Sequence, residues 1–123
     1  MGKVVIGSHH RFDRTPGRQE MLKVLTAIED AGADILKLAV MPVEYSDVNN
    51  LFLTTNEVTC GLVEHPVVTM SMGELGVQSR ISGELYGSSM TFAYVGEGSA
   101  PGQMEIGDLR KAMEEVHQIV EKF

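Results

Sequence analysis

The sequence has little cysteine, no tryptophan and no excess of positive charge. Cys60 is alone among 123 residues, so an intramolecular disulfide is excluded and a reducing compartment is expected. The 10 Lys and Arg residues face 17 Asp and Glu residues, and the net charge of −7 argues against nucleic acid as a partner. No apolar run approaches the roughly 20 residues of a membrane span, and the N-terminal run is too short for a signal peptide. We therefore expect a cytoplasmic chain that binds no nucleic acid and no membrane.

Nucleotide-binding motifs are missing as well. Neither GxGxxG after the first predicted strand nor a P-loop occurs in the sequence. The fractions of hydrophobic residues (43%) and charged residues (22%) are ordinary for a globular domain. A chain of this length can bury a core without disulfides or metals. We therefore predict a single unit over residues 1–123.

Short apolar runs alternate with stretches of helical spacing. Strands are predicted at 3–8, 35–40, 66–72 and 90–95. Helices are predicted from the N-cap Thr15 and Pro16 to 31–32, over 46–62, over 76–86 and over 106–123. This βαβαβαβα order predicts parallel strands with crossover helices. Two architectures fit that order, a small open doubly wound sheet or part of a (β/α) barrel.

Lys37 is the most informative single residue. It interrupts the apolar run 35–40, where period-two alternation puts Ile35, Lys37 and Ala39 on one face of the strand. The larger apolar side chains of the other face would pack against helices. Lys37 would then point to the opposite side, into a barrel interior or a cleft. A desolvated lysine amine is a usable nucleophile. The alternative is an edge strand with Lys37 in water.

His10 is the candidate general acid–base. Alternation along the first strand puts it on one face with Ser8, near the carboxyl ends of parallel strands where catalytic groups collect. The alternative is a hydrogen-bonded structural histidine, the role that we assign to His9 on the opposite face. Cys60 and His65 are too few to make a zinc site.

Three further features each leave an alternative open. Arg80 follows the third strand and could fork onto a substrate carboxylate or lie in solvent. Met70 and Met72 share one strand face and fit either plain core or soft packing against a ligand. The segment 99–103 fits either a loop that closes over the strand ends or an ordinary connection.

Seven segments resemble type I 3-dehydroquinate dehydratase in order and spacing. They are SHHRF at 8–12, TP at 15–16, KLAVMP at 37–42, TMSM at 69–72, GVQSR at 76–80, GELYGS at 83–88 and SAPGQ at 99–103. The resemblance covers essentially the whole chain and corresponds to the C-terminal half of that family. Arg11 departs from the family pattern, in which Asp or Asn follows the histidine.

The resemblance implies a fold and a reaction. The family is a (β/α)8 barrel that converts 3-dehydroquinate to 3-dehydroshikimate and water through a lysine imine, with no metal and no organic cofactor. By resemblance, Lys37 attacks the C3 ketone, and His10 removes the C2 proton and returns a proton to the hydroxyl that leaves C1. Arg80 is implied to bind the substrate carboxylate. The other substrate-binding positions implied are Ser99, Gln103, Met70, Met72 and Phe92.

The chain has about half the length of the family. We therefore predict a (βα)4 half-barrel that is completed by a second copy in a homodimer or by a complementary N-terminal half. The alternative is a folded half-barrel fragment or binding scaffold with little or no catalytic activity. Four βα units cannot close a barrel, because closure requires about eight strands.

Overall fold

The computed structural model describes residues 2–97 and 102–122, which fold as helices around one parallel sheet. The strands, paired in the order β1-β2-β3, are β1 (Ile6–Arg11), β2 (Ile35–Val40) and β3 (Val67–Ser71). The α-helices are α1 (Arg18–Asp30), α2 (Tyr45–Glu57), α3 (Val77–Ser82) and α4 (Ile106–Glu121). Within the described ranges, every helix falls short of the length and apolarity that a membrane crossing needs.

The two faces of the sheet bury different sets of side chains. Leu36, Leu38 and Val40 of β2 pack in the main core with residues of α1 and α2, including Met21, Leu25 and Leu51. The opposite face carries a smaller apolar cluster of Ala39, Val68 and Met70, with Ile35, Met72 and Phe92 against it. The alternation predicted for β2 is confirmed.

The strand register defines the second face, which we call the open face. Ser8, Lys37 and Val68 lie side by side across the three strands, and His10, Ala39 and Met70 form the next row. Register partners in a parallel sheet point to the same side, so these six side chains share the open face.

Two predicted boundaries at the start of the chain are wrong. The first strand runs from Ile6 to Arg11 rather than over 3–8, because its pairing with β2 begins at Ile6 and Ile35. Thr15 does not cap α1, since its hydroxyl donates to the carbonyl oxygen of Met41 at 2.9 Å. The helix begins at Arg18, with Gly17 as its N-cap.

The later helices are broken up relative to the prediction. The stretch predicted over 46–62 is α2 followed by a turn of π-helix at Val58–Leu62, where Gly61 has a φ of +119° and ends the helical geometry. The stretch predicted over 76–86 consists of α3 between two short 3₁₀ turns, Glu74–Gly76 and Gly83–Tyr86.

The predicted fourth strand is wrong as a regular strand. Residues 90–95 form no ladder, although Ser88 bridges to Val67 and the amide of Ser89 donates to the Val67 carbonyl at 2.7 Å. The segment then turns toward α3, where the Thr91 hydroxyl donates to the Arg80 carbonyl at 2.8 Å. A strand gains stability from continuous pairing, and this segment is paired to β3 only at its start.

Candidate active site

Lys37 lies in the centre of the sheet. It is the third residue of β2, which pairs with β1 on one side and with β3 on the other, so the edge-strand alternative is wrong. Its side chain is half-buried on the open face, and its Nζ lies 4.5 Å from the ring centroid of Phe92. The sheet therefore presents a primary amine on a largely apolar surface.

His10 is a diagonal neighbour of Lys37 on the open face. Lys37 is the register partner of Ser8, so His10 lies two residues farther along the adjacent strand. Partial burial lowers the pKa of His10 below its usual value of 6.5, and the positive charges of Lys37 and His9 lower it further. A neutral imidazole is the form that can accept a proton at neutral pH.

Phe12 was missed by the sequence analysis. Its ring stacks on that of His10, with centroids 5.5 Å apart and planes 7° from parallel. Phe12 follows His10 by two residues, so continued alternation beyond the end of β1 was the signal that could have identified it. The stack fixes the plane of the imidazole while leaving its nitrogens accessible.

Arg80 is buried in α3 and reaches the open-face cluster. It is only 4% exposed, so the alternative of a solvated arginine is wrong. Its Nη1 lies 3.7 Å from the sulfur of Met70, and its Nε has no hydrogen-bond partner. Burial lowers the pKa of Arg80, yet a guanidinium stays protonated at neutral pH.

No carboxylate in the described part of the chain pairs with Arg80. The ion pairs found there join other residues and lie at the surface. A buried cation without a counter-charge is costly, and a carboxylate held in a bidentate pair would offset that cost. The arrangement is therefore suited to binding an organic anion beside Met70.

The remaining predicted positions fall around the same face. Met70, Met72 and Phe92 belong to the open-face cluster. Ser99 lies outside the described residues. Gln103 follows Gly102, whose φ of +82° brings it so close to the loop after β3 that an added Cβ would lie 2.2 Å from the Gly73 carbonyl oxygen.

The histidines away from this face have separate partners. His65 Nδ1 lies 2.7 Å from a Glu29 carboxylate oxygen, and His117 Nε2 lies 2.5 Å from one of Glu84. Among residues 2–97 and 102–122, no three side chains of His, Cys, Asp or Glu converge as a metal-binding group. The described site offers one amine, one imidazole and one guanidinium.

Comparison with known proteins identifies relatives of this arrangement. The family model for type I 3-dehydroquinase matches residues 2–120. The 3-dehydroquinate dehydratase of Lactiplantibacillus plantarum is 48% identical over 113 residues, which are 92% of this chain and 44% of that protein. That of Clostridium novyi is 40% identical over 116 residues, 94% of this chain and 46% of that protein. The chain thus spans less than half the length of these curated relatives.

Solved structures agree with the sequence matches. The 3-dehydroquinate dehydratase of Geobacillus kaustophilus has a TM-score of 0.90 at 39% identity, over 94% of this chain and 44% of that one. The type I enzyme of Clostridium difficile, solved with covalently modified comenic acid, has a TM-score of 0.88 at 39% identity, over 94% and 45%. These matches confirm the prediction of an α/β partial barrel. The chain belongs to the type I 3-dehydroquinase family.

Proposed function

We propose that this chain carries the catalytic pair of a 3-dehydroquinate dehydratase and converts 3-dehydroquinate to 3-dehydroshikimate and water. The observation that carries the proposal is the placement of Lys37 and His10 on one face of adjacent strands. The burial of Arg80 without a counter-charge beside the same cluster supports it. Shikimate-pathway metabolism is the setting that this reaction implies.

The reaction follows from the properties of an amine next to a neutral imidazole. The free amine of Lys37, the substrate ketone and one proton give an iminium ion and water. His10 then takes the C2 proton, because the iminium accepts the electron pair of the C2–H bond. Loss of the C1 hydroxyl, with a proton returned by His10, forms the double bond. Hydrolysis of the iminium consumes one water, returns the proton and frees Lys37, so the net products are the enone and one water.

Arg80 has the complementary role of binding the substrate carboxylate. A guanidinium offers parallel donors that match both carboxylate oxygens, which fixes the ring as well as its charge. Ser99 and Gln103 are proposed to close over the substrate. Met70, Met72 and Phe92 are proposed to line the pocket, since they form the apolar surface around Lys37. No metal and no organic cofactor takes part in this scheme.

A second half-barrel is proposed to complete the barrel. The free edge of β1 has no strand partner among the described residues, and Val4 and Ile6 beside it are 70% and 48% exposed. At the other end, a groove of about 450 Å³ separates Thr91 and Ala93 from the apolar face of α4. Open edges and apolar grooves favour association, and a barrel requires about eight strands. The partner is a second copy of this chain or a complementary N-terminal half.

The partner is tested by sedimentation equilibrium. A homodimer gives twice the 13.4 kDa mass of the chain, and addition of an N-terminal half from a family member gives a heterodimer instead. Ile6→Lys at the free edge should weaken either complex, because it puts a charge into the interface. Leu53→Glu on α2 is the control, since this exposed apolar residue lies away from both open ends. A stable monomer in both samples would exclude the partner.

The catalytic proposal is tested by trapping the imine. Borohydride added to the chain with 3-dehydroquinate, alone and with the N-terminal half, should leave a covalent adduct on Lys37. Lys37→Ala and Lys37→Arg should both abolish it, because a guanidinium is not an amine nucleophile. Lys23→Ala, on the exposed side of α1, is the matched control. An adduct at another lysine in a sample that turns over substrate would refute the assignment.

A binding scaffold is the alternative function. The open sheet favours it, since the described strands leave the candidate site unenclosed on the β1 side. Calorimetry that detects dehydroquinate binding, with neither adduct nor turnover in the presence of the N-terminal half, would identify the scaffold.

The cytoplasm is the proposed location. Cys60 has an exposed thiol, which a reducing compartment keeps free. Cell fractionation with an antibody to the chain tests this, and recovery from an oxidising compartment would contradict it.

A further inference from the structure

Phe92 is the contact that holds the nitrogen of Lys37. Nζ lies 4.5 Å from the ring centroid, within the range in which an aromatic face attracts a cation. Across the part of the chain that the structure describes, the Lys37 side chain makes no hydrogen bond and no ion pair, whereas a lysine in an apolar setting is usually paired with a carboxylate. The ring therefore takes the place of a counter-ion.

The ring is itself held firmly in place. It packs against the open-face cluster, whose buried members are Ala39, Val68 and Met70. The segment that carries it is fixed on both sides of Met90, by the Ser89 amide on the Val67 carbonyl and by the Thr91 hydroxyl on the Arg80 carbonyl. These contacts fix the backbone beside the ring to β3 and to α3.

An aromatic face differs from a carboxylate in what it leaves free. A carboxylate would accept hydrogen bonds from the ammonium and compete for its protons. A ring face attracts the positive charge through its quadrupole but accepts no strong hydrogen bond from the ammonium protons. A nitrogen held in this way keeps its orientation, and it can attack a carbonyl carbon once the ammonium ion has given up a proton.

We propose that Phe92 is a positioning residue that orients the nitrogen of Lys37 as the ammonium ion and stabilises the iminium ion that replaces it. The inference rests on the proposed function and gives the Phe92 ring a second role, in addition to lining the pocket. When the amine, the ketone and one proton give the iminium and water, the new C=N bond leaves the positive charge near the nitrogen, over the same ring. The attraction is therefore present before and after the condensation, and is absent only for the neutral amine that attacks.

The geometry can be tested without any substrate. Reductive methylation with ¹³C-formaldehyde labels Lys3, Lys23, Lys37, Lys111 and Lys122 together, and each labelled methyl group gives an NMR signal. The ring current of Phe92 should move the Lys37 methyl signals upfield of the other four. Phe92→Leu should abolish that displacement and Phe92→Tyr should keep it, whereas Met72→Leu, a change in the same cluster, should not affect it. A displacement that persists in Phe92→Leu would overturn the contact.

The role is tested by where borohydride trapping places its adduct. In wild type with 3-dehydroshikimate, most of the adduct should map to Lys37, with the other lysines as internal controls. Pentafluorophenylalanine at position 92 keeps the shape of the ring but reverses the charge on its face. It should lower the Lys37 share of the adduct relative to the other lysines by about tenfold, within the usual strength of a cation–π contact. An unchanged share would show that the ring only packs.

The two tests separate this inference from the proposed function. The first outcome is a methyl displacement that depends on the ring, together with no adduct in the wild-type chain with the N-terminal half. In that case the orientation of the ammonium by Phe92 stands, whereas the dehydratase proposal and the iminium role both fail. If wild type traps efficiently and the fluorinated ring traps equally well, the dehydratase proposal stands and the positioning role fails. Phe92→Tyr should trap like wild type, because it keeps the aromatic face.

Discussion

The guanidinium of Arg80 touches the sulfur of Met70 at 3.7 Å and is buried without a carboxylate partner in the described part of the chain. Met70 is in turn part of the open-face cluster, which lies on the same face of the sheet as Lys37. A buried cation is thereby brought to the face of the sheet that carries the candidate nucleophile. The native fold bears the cost of that burial, so replacing the charge should change stability as well as binding.

Arg80→Met should bind carboxylate substrates more weakly and be more stable than wild type. Replacing the unpaired buried charge by an apolar side chain of similar length should raise the free energy of unfolding by about 1 kcal/mol. In an active assembly the KM should rise more than kcat falls, because the contact is made in both ground and transition states. Arg110→Met, an exposed arginine on α4, is the control for urea unfolding and should change stability by less than about 0.5 kcal/mol. A loss of stability in Arg80→Met would show that the charge is satisfied.

His10→Ala should lower kcat by about 10²-fold or more in an active assembly, the usual scale of a lost general acid–base. Iminium formation should persist in part, so the borohydride adduct on Lys37 should still accumulate. His9→Ala should be far milder, because alternation along β1 turns His9 away from the open face. Steady-state kinetics with the complementary half present measure both variants. Equal damage from the two changes would contradict the assignment by strand face.

The titration of His10 should respond to Lys37. Burial is the larger cause of the lowered pKa of His10, and the positive charge of Lys37 is the next. Lys37→Met should therefore raise that pKa, yet leave it below 6.5. Proton NMR of the imidazole across pH 4 to 9 measures it, with Lys23→Met as the control that leaves it unchanged. An unmoved value in Lys37→Met would mean that the two side chains do not face one another.

The lowered pKa of His10 also determines the direction in which the stability of the chain changes with pH. Because the pKa of His10 is lower in the folded chain than in the unfolded chain, the unfolded chain binds more protons between those two pKa values. The contribution of His10 to stability is complete above the unfolded value of 6.5 and is lost as pH falls through the folded value. His10→Gln should therefore flatten the fall in urea-unfolding stability below pH 6.5. A slope identical to that of wild type would contradict this sign.

Gly102→Ala should destabilise the chain more than Gly96→Ala. Both glycines have a similar positive φ, +82° and +84°, so each alanine pays the same backbone strain of about 1 kcal/mol. Only at Gly102 would the new Cβ lie 2.2 Å from the Gly73 carbonyl oxygen, whereas Gly96 has open space. The loss at Gly102 should exceed that at Gly96 by about 1 kcal/mol or more in urea unfolding. Equal losses of stability would mean that the loop of Gly102 can move away from the loop of Gly73 at no cost.

The sequence by itself determined what depends on local spacing. The bounds of β2 follow from one short apolar run, and period-two alternation is enough to place Lys37 opposite to Leu36 and Leu38. The α/β class follows from alternating elements, and α4 follows from its apolar stripe. Family membership was carried by seven collinear motifs and was confirmed by the match over residues 2–120.

Only the tertiary structure decided what depends on contacts between distant segments. Thr15 stands at a possible cap position in the sequence, but its hydroxyl donates to the Met41 carbonyl. The segment 90–95 has strand composition, but its pairing to β3 stops at Ser89 and Tyr94 instead bridges to Glu105. The burial of Arg80 and the contact of Lys37 with Phe92 join residues from different elements. Local spacing sets which way a side chain points, whereas its partners are set by packing between elements, which no local pattern encodes.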